Sequence, residues 1–338
     1  MATINELAPN TAPVNGQGGD HQGRLAHLPS DLLPKEIVGP IFEKAQESSL
    51  VLRMGQQIPV TYGETIIPVN TKRPEVGQVG TGTSNEQREG AQKPLSGVGW
   101  GSRSFSPIKL ATIVTVSEEF ARANVNGLYT QIQSDLAYAI GRGIDLAVFH
   151  GKQPLSGANL QGIDRANVLA ETTNSVDFGA DPVEDLLAGY DLVSVNHEFS
   201  GWAADPRYRG RLARAMVVRD VNGNVADPGA LNLATQNSSL LGFPIQFGRA
   251  VGGDLGAATD SNIRLIGGDF SQLRFGYADQ VRVKVTDQAT LTDGTQTISM
   301  WQTNQLAILI EVTFGWVVGD LDAFVKFNEV PPAPPVEG

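Results

Sequence analysis

Two stretches of the chain carry strong hydrophobic periodicity. Leu128, Ile132, Leu136, Ala139, Ile140, Ala147 and Val148 fall on one stripe at helical spacing, with Gln131, Gln133, Asp135, Arg142 and Asp145 mostly elsewhere. That pattern predicts an amphipathic helix over 127–151. At 1.5 Å per residue its roughly 25 residues reach about 37 Å, long enough to act as a spine. His150 near its end would place a cation against the helix dipole. Further on, Ile308, Ile310, Val312, Phe314, Trp316 and Val318 alternate with Leu309, Glu311, Thr313 and Gly315, which predicts a strand with one buried face. With Val281 to Val285 this arm, starting near Ile298, reads as a hairpin whose tip carries the turn pair Asp293-Gly294.

The remaining text is less regular. Residues 1–27 are rich in Pro, Asn, Gly and Gln, with too little apolar surface to offset the entropy of ordering, and predict an extended arm. Pro34 with Ile37, Ile41 and Phe42 suits a short amphipathic helix ending near Ser48-Ser49, and Leu50 to Val69 reads as extended strand. Between Thr71 and Ser106 lie seven glycines (Gly77, Gly80, Gly82, Gly90, Gly97, Gly99, Gly101) and few apolar anchors. A structureless loop of about 35 residues is uncommon inside a compact domain unless it is functional or lies against another molecule. Its flanks, Glu64 to Val69 and Ser104 to Val116, are strand-like, so a long protruding hairpin is the economical reading. Asp181-Pro182 and Asp205-Pro206 supply N-cap and first-turn signals for helices over Val183 to Asn196 and Arg207 to Met216. Val217 to Asp220, Leu240 to Phe247 and Ile263 to Ile266 read as short strands, and Pro331 to Pro335 ends the domain. The whole is an α+β chain without internal repeats.

Composition narrows the function classes. The 338 residues are 41% hydrophobic, near the globular norm, and allow one large domain or two. No run approaches the roughly 18 apolar residues of a membrane-spanning helix, and no partnership with a membrane is expected. With 36 acidic against 25 basic side chains the formal charge is −11, which opposes non-specific attraction to phosphate backbones. Cysteine is absent, so disulfides, thiolate metal sites and cysteine nucleophiles are excluded. The first residues lack the basic and apolar regions of a secretory signal, which suggests a protein kept in the cytoplasm.

Candidate chemistry is sparse. The four histidines His21, His27, His150 and His197 show no metal-ligand spacing. No G-x-S-x-G elbow or phosphate-binding P-loop occurs, and Gly97, Gly99 and Gly101 lack the flanking strand and helix of a dinucleotide site. Asp220 to Asn224 faintly resembles a calcium loop, but Val225 and Leu231 stand where a glycine and a glutamate are needed. No catalytic residue, cofactor or metal is expected. Arg207, Arg211 and Arg214 form a basic stripe on one helical face of an acidic chain; it suits a salt-bridged contact between subunits or a solvated helix face better than a nucleic-acid contact, which would want an aromatic platform and a larger basic surface. A polar arm, a glycine-rich hairpin, a spine helix and a long sheet hairpin leave edges that make sense when other copies cover them.

The order of these segments resembles that of the major capsid proteins of tailed bacteriophages, the Hong Kong 97 fold, from about Leu33 to Asn328. The most specific stretch is Phe105 to Phe120 (FSPIKLATIVTVSEEF), followed by Asp135 to Ile140 and Asp145 to Gly151; Leu241 to Ile245, Gly267 to Phe270 and Asp322 to Val325 are similar to later family landmarks in the right order. The resemblance implies an N-terminal arm and short helix over 1–63, an extended loop over 64–107, and a peripheral domain over 108–163 and 279–315. An axial domain over 164–278 and 316–330 and a tail over 331–338 complete the subunit. It implies assembly through hexamers and pentamers into an icosahedral head enclosing double-stranded DNA, built in the host bacterial cytoplasm with portal, scaffolding and decoration proteins as partners. The extended loop, with Lys72, Arg73 and Lys93, would cross the next subunit, and the tip at Asp293 and Gly294 would reach neighbours at local threefold positions. Some relatives link a lysine to an asparagine of the neighbour with the help of a buried glutamate. No acid lies between Asp293 and Glu311, so that crosslink is not expected here.

Two rival readings remain open on the sequence. One is an encapsulin-like compartment that holds cargo protein. The other is a hydrolase acting through Arg207 and Arg211 with Asp205 and Asp220.

Overall fold

The computed structural model describes residues 45, 49–72, 74–79, 93–119, 125–179, 181–215, 218–219, 225–227, 239–292 and 296–330. The arm over 1–27, the helix expected around Ile37, most of the faint calcium loop, Arg73, the turn pair Asp293-Gly294 and the tail lie outside them.

The described chain starts with helix α1 (Leu50–Met54), whose N-cap Ser49 accepts from the Leu52 amide through its hydroxyl. Here the sequence reading of 50–69 as extended is corrected: strand β1 (Gln56–Gln57) follows α1, and β2 spans Thr65–Lys72. Next come β3 (Gly99–Phe105) and β4 (Ile108–Ser117), separated at Ser106-Pro107, then the 26-residue spine helix α2 (Val125–His150). Gly151 ends α2 at φ +63, and a Cβ there would meet Val168 at 3.0 Å and Arg165 at 2.7 Å, so glycine suits both the turn and the packing. β5 (Ser175–Phe178), α3 (Pro182–Ser194), β6 (Gly201–Ala204), α4 (Arg209–Ala215), β7 (Val218–Arg219) and β8 (Val225–Asp227) follow. Then β9 (Ser239–Leu240), β10 (Phe243–Phe247), β11 (Ile263–Gly268), β12 (Leu273–Thr286), β13 (Thr290–Thr292), β14 (Thr297–Ser299), β15 (Gln305–Val318) and β16 (Phe324–Glu329) complete the α+β chain.

These strands make a four-stranded sheet in the order β1-β12-β15-β4 and a six-stranded sheet in the order β5-β16-β11-β6-β10-β9. β12 and β15 run antiparallel from Leu273 opposite Val318 to Thr286 opposite Ala307, with bulges between Tyr277 and Arg282. The alternation expected along β15 is what buries it: Ile308, Ile310, Val312, Phe314, Trp316 and Val318 all enter the main core. Ile132, Leu136, Ile140, Ala147 and Val148 of α2 meet them there, whereas Ala139, expected on that stripe, is exposed. From Ile144 to His150 every residue of α2 is buried, so the amphipathic pattern gives way to a fully enclosed end.

The six-stranded sheet separates two cores. Ala203, Ile266 and Phe324 face the main core, while Trp202, Ala204, Leu265, Val325 and Phe327 pack under α3 and α4. Phe178 stacks on Tyr208 with ring centroids 4.5 Å apart, and Phe199 tilts against Trp202 at 4.4 Å. Asp181 caps α3 by accepting from the Val183 amide, with Pro182 in the first turn, as its Asp-Pro pair predicts. Among the described residues no helix is long and apolar enough to cross a membrane.

Candidate inter-subunit surfaces

No catalytic constellation forms among the described residues. No group of three or more His, Asp or Glu side chains could hold a metal there. His150 is buried with its Nε2 2.9 Å from the Val251 carbonyl, and burial pushes its pKa down, so it is not the exposed cation that its place at the helix end suggested.

Two arginines of the basic stripe, Arg207 and Arg211, have partners in their own chain. Arg207 lies in a 3₁₀ turn (Pro206–Tyr208) ahead of α4, so the stripe is not carried by one continuous helix. Its Nε and one terminal nitrogen reach Asp205, the latter at 2.7 Å, and its other terminal nitrogen lies 2.9 Å from Asp260 and 3.0 Å from Asp254. Arg264 joins Asp260 at 2.8 Å and Glu329 at 2.6 Å, and Arg211 reaches Glu329 at 3.4 Å. Burial opposes ionisation of Asp260, but the Arg264 and Arg207 guanidiniums outweigh it and hold the carboxyl at about 2. Asp205 is fully buried and its oxygens accept four hydrogen bonds from Arg207, one of them from the backbone amide, an arrangement that fastens loops rather than poising a base. Arg214 lies in α4.

The other predicted contact residues sit on or near the β2–β3 hairpin. Lys72 in β2 stands opposite Gly99, and Lys93 is exposed on the way back to β3. Register sorts the hairpin into two faces. Thr65, Ile67 and Val69 share one with Gly101, Arg103 and Phe105, which are half-buried or buried against the body. Ile66 and Pro68 share the other with Trp100, Ser102 and Ser104, all exposed: Ile66 retains 65% and Trp100 68% of its accessible surface. An isolated two-stranded hairpin is marginal in water, and an apolar outer face makes it more so. Between the hairpin's inner face and the loops at Ser194–Ser200, Asp269–Gln272 and Gly319–Asp322 lies an open cleft of about 1030 Å³. Below the hairpin, β4 is an edge strand of ten residues with Ile113 and Val114 exposed, and no described strand pairs with its outer side.

One buried group escaped the sequence reading. Asp145, assigned there to the polar side of α2, is enclosed by protein. Its carboxylate accepts from the Ser49 hydroxyl at 2.5 Å and from the Leu50 and Val51 amides at 3.0 and 3.1 Å. It therefore supplies the first turn of α1 with acceptors from 95 residues away in sequence and pins that segment to the spine helix. Burial, working against these hydrogen bonds, raises its pKa to about 6. The signal in the sequence was an acid set among Ile144, Leu146, Ala147, Val148 and Phe149.

A long helix packed on a bulged sheet, a second mixed sheet and a hairpin with an apolar outer face make a frame rich in exposed contact surface. The profile of the phage capsid family matches residues 30–328. The chain belongs to that family, and it is a structural protein rather than an enzyme. It is 27% identical over 312 residues to a probable major capsid protein of Mycobacterium phage D29, covering 88% of this chain and 90% of that one. A solved structure from Gordonia phage Cozz superposes with a TM-score of 0.66 at 32% identity, over 84% of this chain and 87% of the other. One from Mycobacterium phage Ogopogo gives 0.64 at 25% identity, over 84% and 92%. Nothing in these relatives favours the compartment reading.

Proposed function

We infer that the chain is the major capsid subunit of a tailed double-stranded DNA phage, and that its copies close an icosahedral head through hexamers and pentamers in the manner of the Hong Kong 97 fold. Membership of the phage capsid family over nearly the whole chain supports this reading. The observation that carries it is the hairpin, which rests one face on its own body and leaves Ile66, Pro68 and Trp100 uncovered on the other. In the shell the extended loop over 64–107 lies across the next subunit, which removes that face from water. The peripheral domain over 108–163 and 279–315 and the axial domain over 164–278 and 316–330 correspond to the two ends of the subunit, the latter turned towards the symmetry axes. Lys72, Arg73 and Lys93 of the loop, and Asp293 and Gly294 of the hairpin tip, meet neighbours. Arg207, Arg211 and Arg214 lie on the axial domain, where the in-chain ion pairs of Arg207 and Arg211 shape the surface it offers.

Portal, scaffolding and decoration proteins are the further partners this role calls for, with assembly in the host cytoplasm. The genome is enclosed rather than bound, in keeping with a formal charge of −11. The shell closes without covalent links between subunits, since no acid stands between Asp293 and Glu311 to accept a lysine proton.

Expression of the full chain followed by sedimentation and negative-stain microscopy of one sample tests the reading. Ring-sized oligomers or closed shells are expected. A monodisperse monomer at high concentration would contradict it.

A further inference from the structure

The two edges of the six-stranded sheet differ in the charge of the segments beside them, apart from Arg211, which reaches the Gly179 carbonyl next to β5. At the β5 end, residues 174–198 contain Asp177, Asp181, Glu184, Asp185, Asp191 and Glu198 and no Lys or Arg. On α3 the buried positions Pro182, Leu186, Gly189 and Val193 face the sheet. The sides turned away from the sheet present Leu187 on one flank, Leu192 on the other and, just past the helix, Val195, exposed by 41, 47 and 77%, with the exposed carboxylates Glu184 and Asp191 between the flanks. Asp185 on the flank accepts from the Gly179 amide next to β5, so Leu192, on that same flank of the helix, is turned towards the β5 edge. No basic side chain pairs with Glu184, Asp191 or Glu198 among the described residues.

The other end is basic and aromatic. β9 pairs only with Phe243 and Pro244, so from Ile245 to Phe247 no described strand lies outside β10. At that open edge the Arg209 guanidinium lies 5.0 Å from the centre of the half-buried Phe247 ring, and Arg249 is exposed two residues beyond. Unlike Arg207 and Arg211, neither Arg209 nor Arg249 has a carboxylate partner among the described residues. Five strand spacings separate β5 from β9, roughly 24 Å, so the two edges of the sheet are far apart, although α4 packs beside α3 and its Arg211 reaches the Gly179 carbonyl next to β5.

We propose that the acidic, apolar flank of α3 docks on the Arg209–Phe247–Arg249 edge of β10 in a second copy of the chain, and that this head-to-tail contact is what closes the axial ring. It rests on the capsid reading and names the surfaces that meet within it. A self-complementary pair of walls at opposite ends of one element repeats by rotation, and a contact of this heterologous kind yields a ring when the rotation closes. Glu184 and Asp191 then meet Arg209 and Arg249, while Leu192 and Val195 leave water against the β10 edge.

The absence of cysteine makes the contact directly testable. In assembled particles of the full chain carrying both Leu192→Cys and Gln246→Cys, a short bismaleimide should give a ladder of covalent oligomers on a denaturing gel, and each single variant should give none. Separately, Arg209→Glu should lower the yield of assembled particles about tenfold or more, with circular dichroism of the subunit unchanged. Combining Arg209→Glu and Arg249→Glu with Glu184→Arg and Asp191→Arg should restore assembly. Particles that form normally from Arg209→Glu, and a doubly substituted chain that stays monomeric on the gel after assembly, would overturn the pairing while leaving the capsid reading intact. Failure of the unmodified chain to assemble at all, alone or with its scaffolding protein, would overturn both.

Discussion

β15 and the β2–β3 hairpin are both long antiparallel arrangements, yet they are folded by different things. β15 is flanked on both sides by partners, and its Ile308, Ile310, Val312 and Phe314 are nearly free of solvent against the spine helix. In the hairpin the apolar side chains are divided, with Phe105 buried and Ile66 and Trp100 left outside. Burying a side chain of the size of Phe314 is worth roughly 1.5–3 kcal/mol, so β15 is stabilised inside one subunit. The same contribution is missing for Trp100 in the single subunit. The body thus folds by its own burial, and on the proposed capsid reading the hairpin completes its folding by assembly.

The comparison can be broken at several points. Phe314→Ala empties part of the main core and should cost the unassembled subunit about 3–5 kcal/mol in chemical denaturation, with assembly lost as a consequence. Asp145 should give the next largest effect, through pH. Its pKa is raised in the folded chain to about 6, so its contribution is fully present below the unfolded value near 4 and is lost as pH rises through 6. A carboxyl that binds its proton about a hundredfold more tightly in the folded chain than in the unfolded one contributes ~3 kcal/mol. Between pH 4 and pH 7.5 the wild type should therefore lose up to ~3 kcal/mol relative to Asp145→Asn, read as the difference between their two thermal or denaturant profiles. A constant difference across that range would show that Asp145 does not titrate in this window.

Trp100→Ala should separate the two regions most sharply. Unassembled subunits should keep their stability within about 0.5 kcal/mol, because the ring is exposed. Assembly should weaken by about 2 kcal/mol per contact, measured as a higher critical concentration in sedimentation. The smallest effect belongs to Lys109→Ala: its ion pair with Glu311 spans 3.5 Å with the lysine side chain 59% exposed, and its removal should change stability by less than about 1 kcal/mol, falling further in salt.

The parts of the molecule that were legible in the sequence are those set by local periodicity. α2 and the buried face of β15 follow from spacing alone, and the Asp-Pro pairs at Asp181 and Asp205 mark where α3 and the 3₁₀ turn before α4 begin. What escaped is set by distant partners or by single residues. α1 looks like strand text at Leu50 and Val51 and is helical because Asp145 and Ser49 supply its first turn with acceptors. Leu240 to Phe247 reads as one strand, but Leu241 and Gly242 take φ of +53 and +83 and fold it into the β9–β10 hairpin. β12 is far longer than Val281 to Val285 suggested, because Arg274, Gly276 and Asp279 and the bulges interrupt its alternation. Of the candidate contact residues, Arg207 and Arg211 were expected to pair across subunits or face water and have carboxylate partners in their own chain, since Asp254, Asp260 and Glu329 come from other segments.

Hydrogen exchange of the same chain before and after assembly tests the central claim most directly. Amides of β15 should be protected equally in free subunits and in particles, whereas those of Ile66 to Val69 and Gly99 to Phe105 should exchange rapidly in free subunits and become protected in the shell. Equal protection of the hairpin in both states would contradict the account, because it would mean that the hairpin needs no neighbour to fold.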